Sequence, residues 1–103
     1  MTYDHNQTVV PEAFQALHAS HGRPRLSRAE TEARHAACED IALHTAQFLS
    51  ERGVEAEDSS DALGRCLTGL EASDGAASPA EAEWIVRRVA ELMDWPQPDV
   101  LPR

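Results

Sequence analysis

The sequence predicts an all-α protein: a small four-helix bundle with a short first helix, a long second, a short third and a capped fourth, followed by an extended Pro-rich C-terminal tail. Two capping boxes, Ser27-Arg28-Ala29-Glu30 and Ser78-Pro79-Ala80-Glu81, mark the starts of two helices. Apolar residues recur at helical spacing after both boxes. No run of alternating apolar residues is long enough to predict a strand.

The first two predicted helices lie in the N-terminal half of the chain. The first begins at Pro11, a residue favoured at the first helical position, and runs to about residue 20. The second runs from the Ser27 capping box to Arg52. It ends there because Gly53 supplies the left-handed residue that closes many helices.

The third predicted helix covers about residues 60–72, and acids at its start favour the positive end of the helix dipole. The fourth begins after Ser78 and runs to about Asp94, because Pro96 removes a backbone donor and disfavours helical geometry at the residue before it. These boundaries divide the chain into three segments: a mobile N-terminal segment (1–8), a single helical domain (9–95) and the Pro-rich tail (96–103).

Only 19 of the 103 residues are Leu, Ile, Val or Phe. The chain therefore needs these side chains on aligned helix faces, or a second subunit that adds buried area. Both cysteines, Cys38 and Cys66, are predicted to be small buried hydrophobic residues. On the second helix the predicted buried residues share one side of the helical wheel: Ala37, Cys38, Ile41, Thr45, Phe48 and Leu49.

Eighteen acids, nine arginines and no lysine give a formal net charge of −9. This charge repels phosphate backbones and anionic lipid, so we expect neither nucleic-acid nor membrane binding. The N-terminus lacks the basic and apolar regions of a secretory signal, and the longest strongly apolar run covers only residues 84–86. We therefore expect a cytoplasmic protein.

Trp84 and Trp95 lie outside the main apolar face of the fourth helix and project in nearly the same direction, with Arg88 between them. Either the first helix or the tail covers the indoles, or they form a partner-binding surface, since Trp and Arg dominate interface energetics. Leu43 projects away from Ile41 on the second helix. It is either a lone exposed leucine, which needs no explanation, or part of a homodimer interface.

A basic segment precedes the second helix. No acid lies between Glu12 and Glu30, whereas Arg23, Arg25 and Arg28 add three positive charges. Because the amides at a helix N-terminus favour anions, these arginines form a candidate phosphate or carboxylate site. The alternative is that they pair with acids of the same fold or of a second subunit.

Glu32 and His35 have the Glu-x-x-His spacing of di-iron helical bundles, which places both side chains on one helix face. That pattern needs a second copy of the motif and two further carboxylates, so a metal site here would require a homodimer. In a helix rich in Ala and Glu the same spacing also arises by chance.

No catalytic motif is complete in this sequence. The five glycines form neither a dinucleotide-binding fingerprint nor a phosphate-binding loop, and there is no lysine to complete such a loop. We therefore expect neither enzymatic activity nor a cofactor.

A family resemblance rests on three segments of the chain: Cys38-Glu39-Asp40, Arg65-Cys66-Leu67-Thr68-Gly69-Leu70, and the stretch from Ser78 to Pro96. These segments resemble a group of short, uncharacterised proteobacterial proteins often labelled "ATPase with chaperone activity". The resemblance covers most of residues 9–98 and implies a bacterial, chaperone-associated protein. We do not expect ATP hydrolysis, which needs a glycine loop, a cation and a positioned carboxylate that this sequence does not combine.

The predicted function is a non-enzymatic protein–protein interaction or regulatory module. Its expected partner is another protein or a second copy of the chain, contacted through Trp84, Arg88, Trp95 and Leu43. One alternative is a metal-binding homodimer that uses Glu32 and His35. The other is a chaperone-associated protein that does not itself hydrolyse ATP.

Overall fold

The computed structural model describes residues 10–20, 23–72 and 77–98. These residues are mostly helical, which confirms the all-α prediction. The helices in this part of the chain are α1 (Glu12–Leu17), α2 (Arg28–Glu51), α3 (Ser59–Ala72) and α4 (Pro79–Met93). None of these helices is both long and apolar enough to cross a bilayer. The N-terminal segment predicted to be mobile, residues 1–8, lies outside the described residues.

The first helix is shorter than predicted, and two short strands follow it. α1 ends at Leu17 instead of near residue 20, and the next elements are β1 (Ala19–Ser20) and β2 (Arg23–Pro24). The two strands pair antiparallel, with Ala19 opposite Pro24. Strands of two residues are too short to produce the alternation from which a strand is predicted, so the sequence pattern does not reveal them.

Both ends of α2 follow the local signals of the sequence. The Ser27 hydroxyl accepts a hydrogen bond from the Glu30 amide at 3.0 Å, and the Glu30 carboxylate accepts one from the Ser27 amide at 2.8 Å. This reciprocal pair is the predicted capping box. At the other end Gly53 has a φ of 71°. The amides of Gly53 and of the next residue donate to carbonyls three and five positions earlier, at 3.0 and 3.2 Å, which makes a Schellman motif.

A capping box and a Schellman motif also mark the start and the end of α4. Ser78 and Glu81 form the predicted capping box, with both hydrogen bonds at 3.1 Å. The buried Glu81 carboxylate lies at the positive end of the helix dipole, which favours its negative charge. The helix ends at a second Schellman motif in which Asp94, with a φ of 57°, takes the left-handed position. The amides of Asp94 and Trp95 donate to carbonyls three and five positions earlier, at 3.1 and 2.8 Å.

The chain divides into two compact units, Met1–Ala37 and Cys38–Arg103. In the first unit Phe14 is fully buried. Its ring contacts the rings of His18 and His35, with centroids 5.3 and 5.2 Å away. An aromatic cluster therefore occupies the interior of this unit.

The second unit has an aliphatic core. A short 3-10 helix, Ala56–Asp58, leads into α3, and α3 packs against α4. The buried hydrophobic residues of this unit come from α2, α3, α4 and the residues after α4: Cys38, Ala42, Ala46, Leu49, Leu63, Leu67, Ala82, Ile85, Val86, Val89, Ala90 and Trp95. Seven of these twelve residues lie on α3 and α4.

The buried face of α2 is rotated from the predicted one. The residues that α2 buries in the second unit are Cys38, Ala42, Ala46 and Leu49, whereas Phe48 is 53% exposed. The prediction of Phe48 as a core residue was therefore wrong. Cysteine and alanine on the inner face let neighbouring backbones approach closely, and a phenyl ring on that face would hold them apart.

Candidate functional site

The two predicted interface tryptophans lie in different environments. Trp95 is only 9% exposed, because the turn after α4 directs it into the core, and Trp84 is half-buried. The helical wheel places Trp95 outside the main apolar face of the fourth helix, whereas in the structure Trp95 belongs to the core. The left-handed residue Asp94 ends the helix, so the helical wheel does not apply at residue 95.

Arg88 binds the carboxylates of Glu39 and Glu91. Its Nε lies 3.0 Å from both carboxylate oxygens of Glu39, and its Nη2 lies 2.8 Å from Glu39 Oε2. Its Nη1 also donates to Glu91 at 3.0 Å. The hydrogen bonds from Arg88 to Glu39 raise the pKa of the guanidinium above its ordinary value. Arg88 therefore joins α4 to α2 within the second unit.

The first residues of the tail lie against α4. Gln97 donates through its side-chain amide to the Arg87 carbonyl at 3.3 Å and accepts from the Arg87 guanidinium at 3.5 Å. Pro98 is buried. The part of the tail that the structure describes therefore packs back on α4.

The large hydrophobic residues that stay exposed in the described part of the chain are Leu43, at 48%, and Phe48, at 53%. Both lie on the solvent side of α2 in the second unit. We call this side the outer face of α2, which consists of seven exposed residues: Asp40, Leu43, His44, Gln47, Phe48, Glu51 and Arg52.

Side-chain contacts order much of the outer face. The Arg52 guanidinium lies 5.2 Å from the centroid of the Phe48 ring, a cation–π contact. The His44 imidazole lies 3.5 Å from the Asp40 carboxylate. Gln47 donates to Glu51 at 3.2 Å. Each of these pairs is separated by four positions, the spacing at which helical side chains meet.

Leu43 and Phe48 do not form one continuous apolar stripe. Five positions separate them, so they lie about 140° apart around the helix axis. The polar residues of the outer face fill the sector between them, including Glu51 and Gln47. A molecule that covers both hydrophobic side chains must therefore also contact charged groups.

The arginines predicted to form the anion site do not converge on one position where an anion could bind. The Arg25 guanidinium donates to the Leu17 carbonyl at 3.1 Å, and Arg28 pairs with Glu32 at 3.3 Å. Arg23 is exposed on β2. The capping box already engages the Ser27 and Glu30 amides at the start of α2 and adds a carboxylate there, which disfavours an anion.

Glu32 and His35 also lie in different surroundings. Glu32 is exposed and paired with Arg28, whereas His35 is 5% exposed and packs against Phe14. Among the described residues no group of three or more His, Cys, Asp or Glu side chains is placed to hold a metal ion. The geometry therefore does not assemble the predicted metal ligands.

Comparison with known proteins adds no relative from which a role could be transferred to this chain. No known family model, curated protein or solved structure matches this chain. Of the four residues predicted to bind a partner, Leu43 lies in the exposed face that the structure defines, and Phe48 is the residue of that face that sequence reasoning missed. The small residues Cys38, Ala42 and Ala46 recur every four positions, and this spacing was the sequence signal for the face of α2 that is buried.

Proposed function

We propose that this protein is a non-enzymatic protein–protein interaction module that binds its partner through the outer face of α2. The observation that carries the proposal is the exposure of Leu43 and Phe48. The chain has only 19 Leu, Ile, Val and Phe residues with which to build a core, yet these two are not used in it. Single exposed hydrophobic residues are ordinary; two on the exposed side of one helix, in a chain this poor in large hydrophobic residues, support an interface.

The contact between Arg52 and Phe48 supports the proposal further. Arginine and aromatic residues are enriched among the residues that dominate binding energy. The guanidinium over the ring restricts the motion of both side chains before binding, which lowers the entropy lost when a partner covers them.

The small apolar area of the outer face limits the binding free energy that this face contributes. Fully burying a Leu or Phe side chain contributes about 1.5–3 kcal/mol, so covering these two half-exposed residues adds about the same amount, 1.5–3 kcal/mol, in total. A micromolar complex needs about 8 kcal/mol. The partner must therefore also engage the polar residues of the outer face.

Site-specific photocrosslinking tests the proposal. A photoreactive phenylalanine derivative at position 48 or 43 is expected to give a crosslinked adduct with a protein in cells of the native host. The same derivative at Thr68, an exposed position on α3, is the matched control and is expected to give none. Circular dichroism of each purified variant checks that its helix content is unchanged.

The proposal fails if positions 43 and 48 give no more adduct than position 68. The four-helix bundle, the cytoplasmic location and the chaperone association expected from the sequence stay predictions. The metal-binding alternative gains no support from the positions of Glu32 and His35.

A further inference from the structure

Asp40 and His44 place two potential metal ligands side by side on the outer face of α2. The Nδ1 atom of His44 lies 3.5 Å from the Oδ2 atom of Asp40, and the two side chains are 73% and 68% exposed. A tetrahedral zinc ion that binds one nitrogen and one oxygen at its usual bond lengths holds these two atoms about 3.3–3.5 Å apart. The observed separation therefore matches that of two ligands on one zinc ion.

Little else in the chain competes for this pair. Among the residues that the structure describes, Asp40 and His44 form no other ion pair or side-chain hydrogen bond. A metal ion that binds both side chains therefore replaces a single exposed contact, which costs little. An imidazole and a carboxylate together suit zinc, whereas Mg²⁺ prefers oxygen ligands alone.

One chain supplies only half of a zinc site. Zinc in a closed protein site has four ligands, and in the described part of the chain no group of three or more His, Cys, Asp or Glu side chains is placed to hold a metal ion. In a two-fold dimer the same surface of both copies meets, so a second copy presents the same two residues. Two such pairs provide two imidazole nitrogens and two carboxylate oxygens, which complete a tetrahedral set.

We propose that a zinc ion joins two copies of this chain through Asp40 and His44 of each copy. This inference rests on the proposed function, and it names the second copy as the partner of the outer face and zinc as the bridging ion. Leu43 and Phe48 lie on opposite sides of the polar stripe that contains the pair. A metal ion in that stripe therefore leaves a hydrophobic residue at each edge of the contact.

The charge of the second unit explains why such a contact needs a cation. Cys38–Arg103 contains fourteen acids and five arginines, so two copies of this unit repel each other. A divalent cation between the two Asp40 carboxylates neutralises both of them, and the negative field of the protein attracts cations to its surface. Self-association is therefore expected only when the metal ion is present.

Sedimentation velocity of protein purified without a histidine tag tests the inference. Zinc chloride is expected to convert wild-type monomer to dimer, and EDTA is expected to reverse the change. Magnesium chloride is the control salt and is expected to leave the protein monomeric, because Mg²⁺ prefers oxygen ligands. Isothermal titration calorimetry is expected to give about one zinc ion per two chains.

Variants of the pair locate the metal ion. His44→Ala and Asp40→Asn are each expected to weaken zinc-dependent dimerisation about tenfold or more, because each removes two of the four ligands. Asp61→Asn removes an acid of similar exposure from α3 and is the matched control, with an expected change below about twofold. Asp40→His is expected to strengthen dimerisation, since imidazole suits zinc better than a carboxylate does. Circular dichroism checks the helix content of every variant.

Four results would overturn the inference. Failure to bind zinc would exclude the site, and dimerisation in EDTA would mean that the contact needs no metal ion. Zinc-dependent association that survives both His44→Ala and Asp40→Asn would assign the metal ion to other groups. Binding of one zinc ion per chain without a dimer would mean an adventitious ion only. After any of these results, crosslinks from positions 43 and 48 to another protein would still support the proposed function.

Discussion

The guanidinium of Arg88 and the carboxylate of Glu39, 49 positions apart in the chain, form a bidentate ion pair with distances of 2.8–3.0 Å. Glu91 accepts a further hydrogen bond from Arg88 at 3.0 Å. The planar fork of arginine matches the two carboxylate oxygens, a geometry that lysine cannot reproduce. Arg88, predicted from the sequence to contact a partner, is thus used within the second unit.

A double-mutant cycle with Glu39→Gln and Arg88→Gln is expected to give a coupling energy of about 1–2 kcal/mol in urea unfolding. The side chains are 24% and 33% exposed, so solvent screens the pair only in part. The control is the Asp61–Arg65 pair, at 71% and 82% exposure, with an expected coupling of about 0.5 kcal/mol or less. Equal coupling in both pairs would contradict the assigned role of Arg88.

The pH dependence of the Arg88 contribution has a definite sign. Glu39 raises the pKa of the folded-state guanidinium, so this stabilisation is fully present below the ordinary pKa of arginine and is lost only as the pH rises through the raised value. From pH 7 to pH 10 the difference in unfolding free energy between wild type and Arg88→Gln is therefore expected to stay constant within about 0.5 kcal/mol. A steady decline over that range would contradict a charged Arg88 in the pair.

The two phenylalanines of the chain are expected to differ greatly in how much their truncation destabilises the protein. Phe14→Ala opens a cavity in the first unit and is expected to lower the free energy of unfolding by about 3–5 kcal/mol. Phe48→Ala removes an exposed ring and is expected to change it by about 0.5 kcal/mol or less. Chemical denaturation measures both, and a large loss for Phe48→Ala would mean that the ring belongs to the core.

The two left-handed residues that follow helices offer a matched pair of backbone substitutions. Asp94→Gly is expected to stabilise the protein by about 0.5–1 kcal/mol, because glycine adopts positive φ without strain and the change removes a negative charge from the negative end of the dipole. Gly53→Ala is expected to destabilise it by about 1 kcal/mol through backbone strain alone, since no atom lies within 4 Å of the added methyl group. Asp94→Asn separates the charge effect from the backbone effect, and thermal unfolding measures all three.

The cysteines are expected to react slowly with thiol reagents. Burial raises the pKa of the half-buried Cys66 thiol, which lowers its thiolate fraction at neutral pH. Cys38 has no exposed surface. With a colorimetric disulfide reagent at pH 8, Cys66 should react at least tenfold more slowly than glutathione, and Cys38 should react only when the protein unfolds. Rapid modification of Cys38 in native protein would contradict its burial.

Local signals predicted the ends of α2 and α4, and long-range packing decided the candidate site. The Ser27 and Ser78 capping boxes and the turn at Gly53 depend on residues within a few positions of one another, so the sequence contains all that they need. Phe48 was predicted to be buried and is exposed, whereas Trp95 was placed outside the main apolar face and is buried. Both differences arise because burial depends on how elements approach each other. The exposure of Leu43 was predicted correctly, because an isolated large residue opposite the apolar side of a helix stays exposed under either rotation of that face.

The sequence by itself determined that this chain is helical, where its long helices begin and end, and that its acids outnumber its arginines two to one. The tertiary structure decided which side of α2 is buried, where Trp95 lies, and which acid pairs with Arg88. The physical reason is the distance along the chain over which each interaction acts. Capping and helical periodicity depend on neighbouring residues, and net charge is a simple sum. The choice among helix faces depends instead on which side chains let backbones pack most closely. Alanine at positions 42 and 46 packs more closely than phenylalanine at position 48, and this difference leaves Phe48 on the outer face.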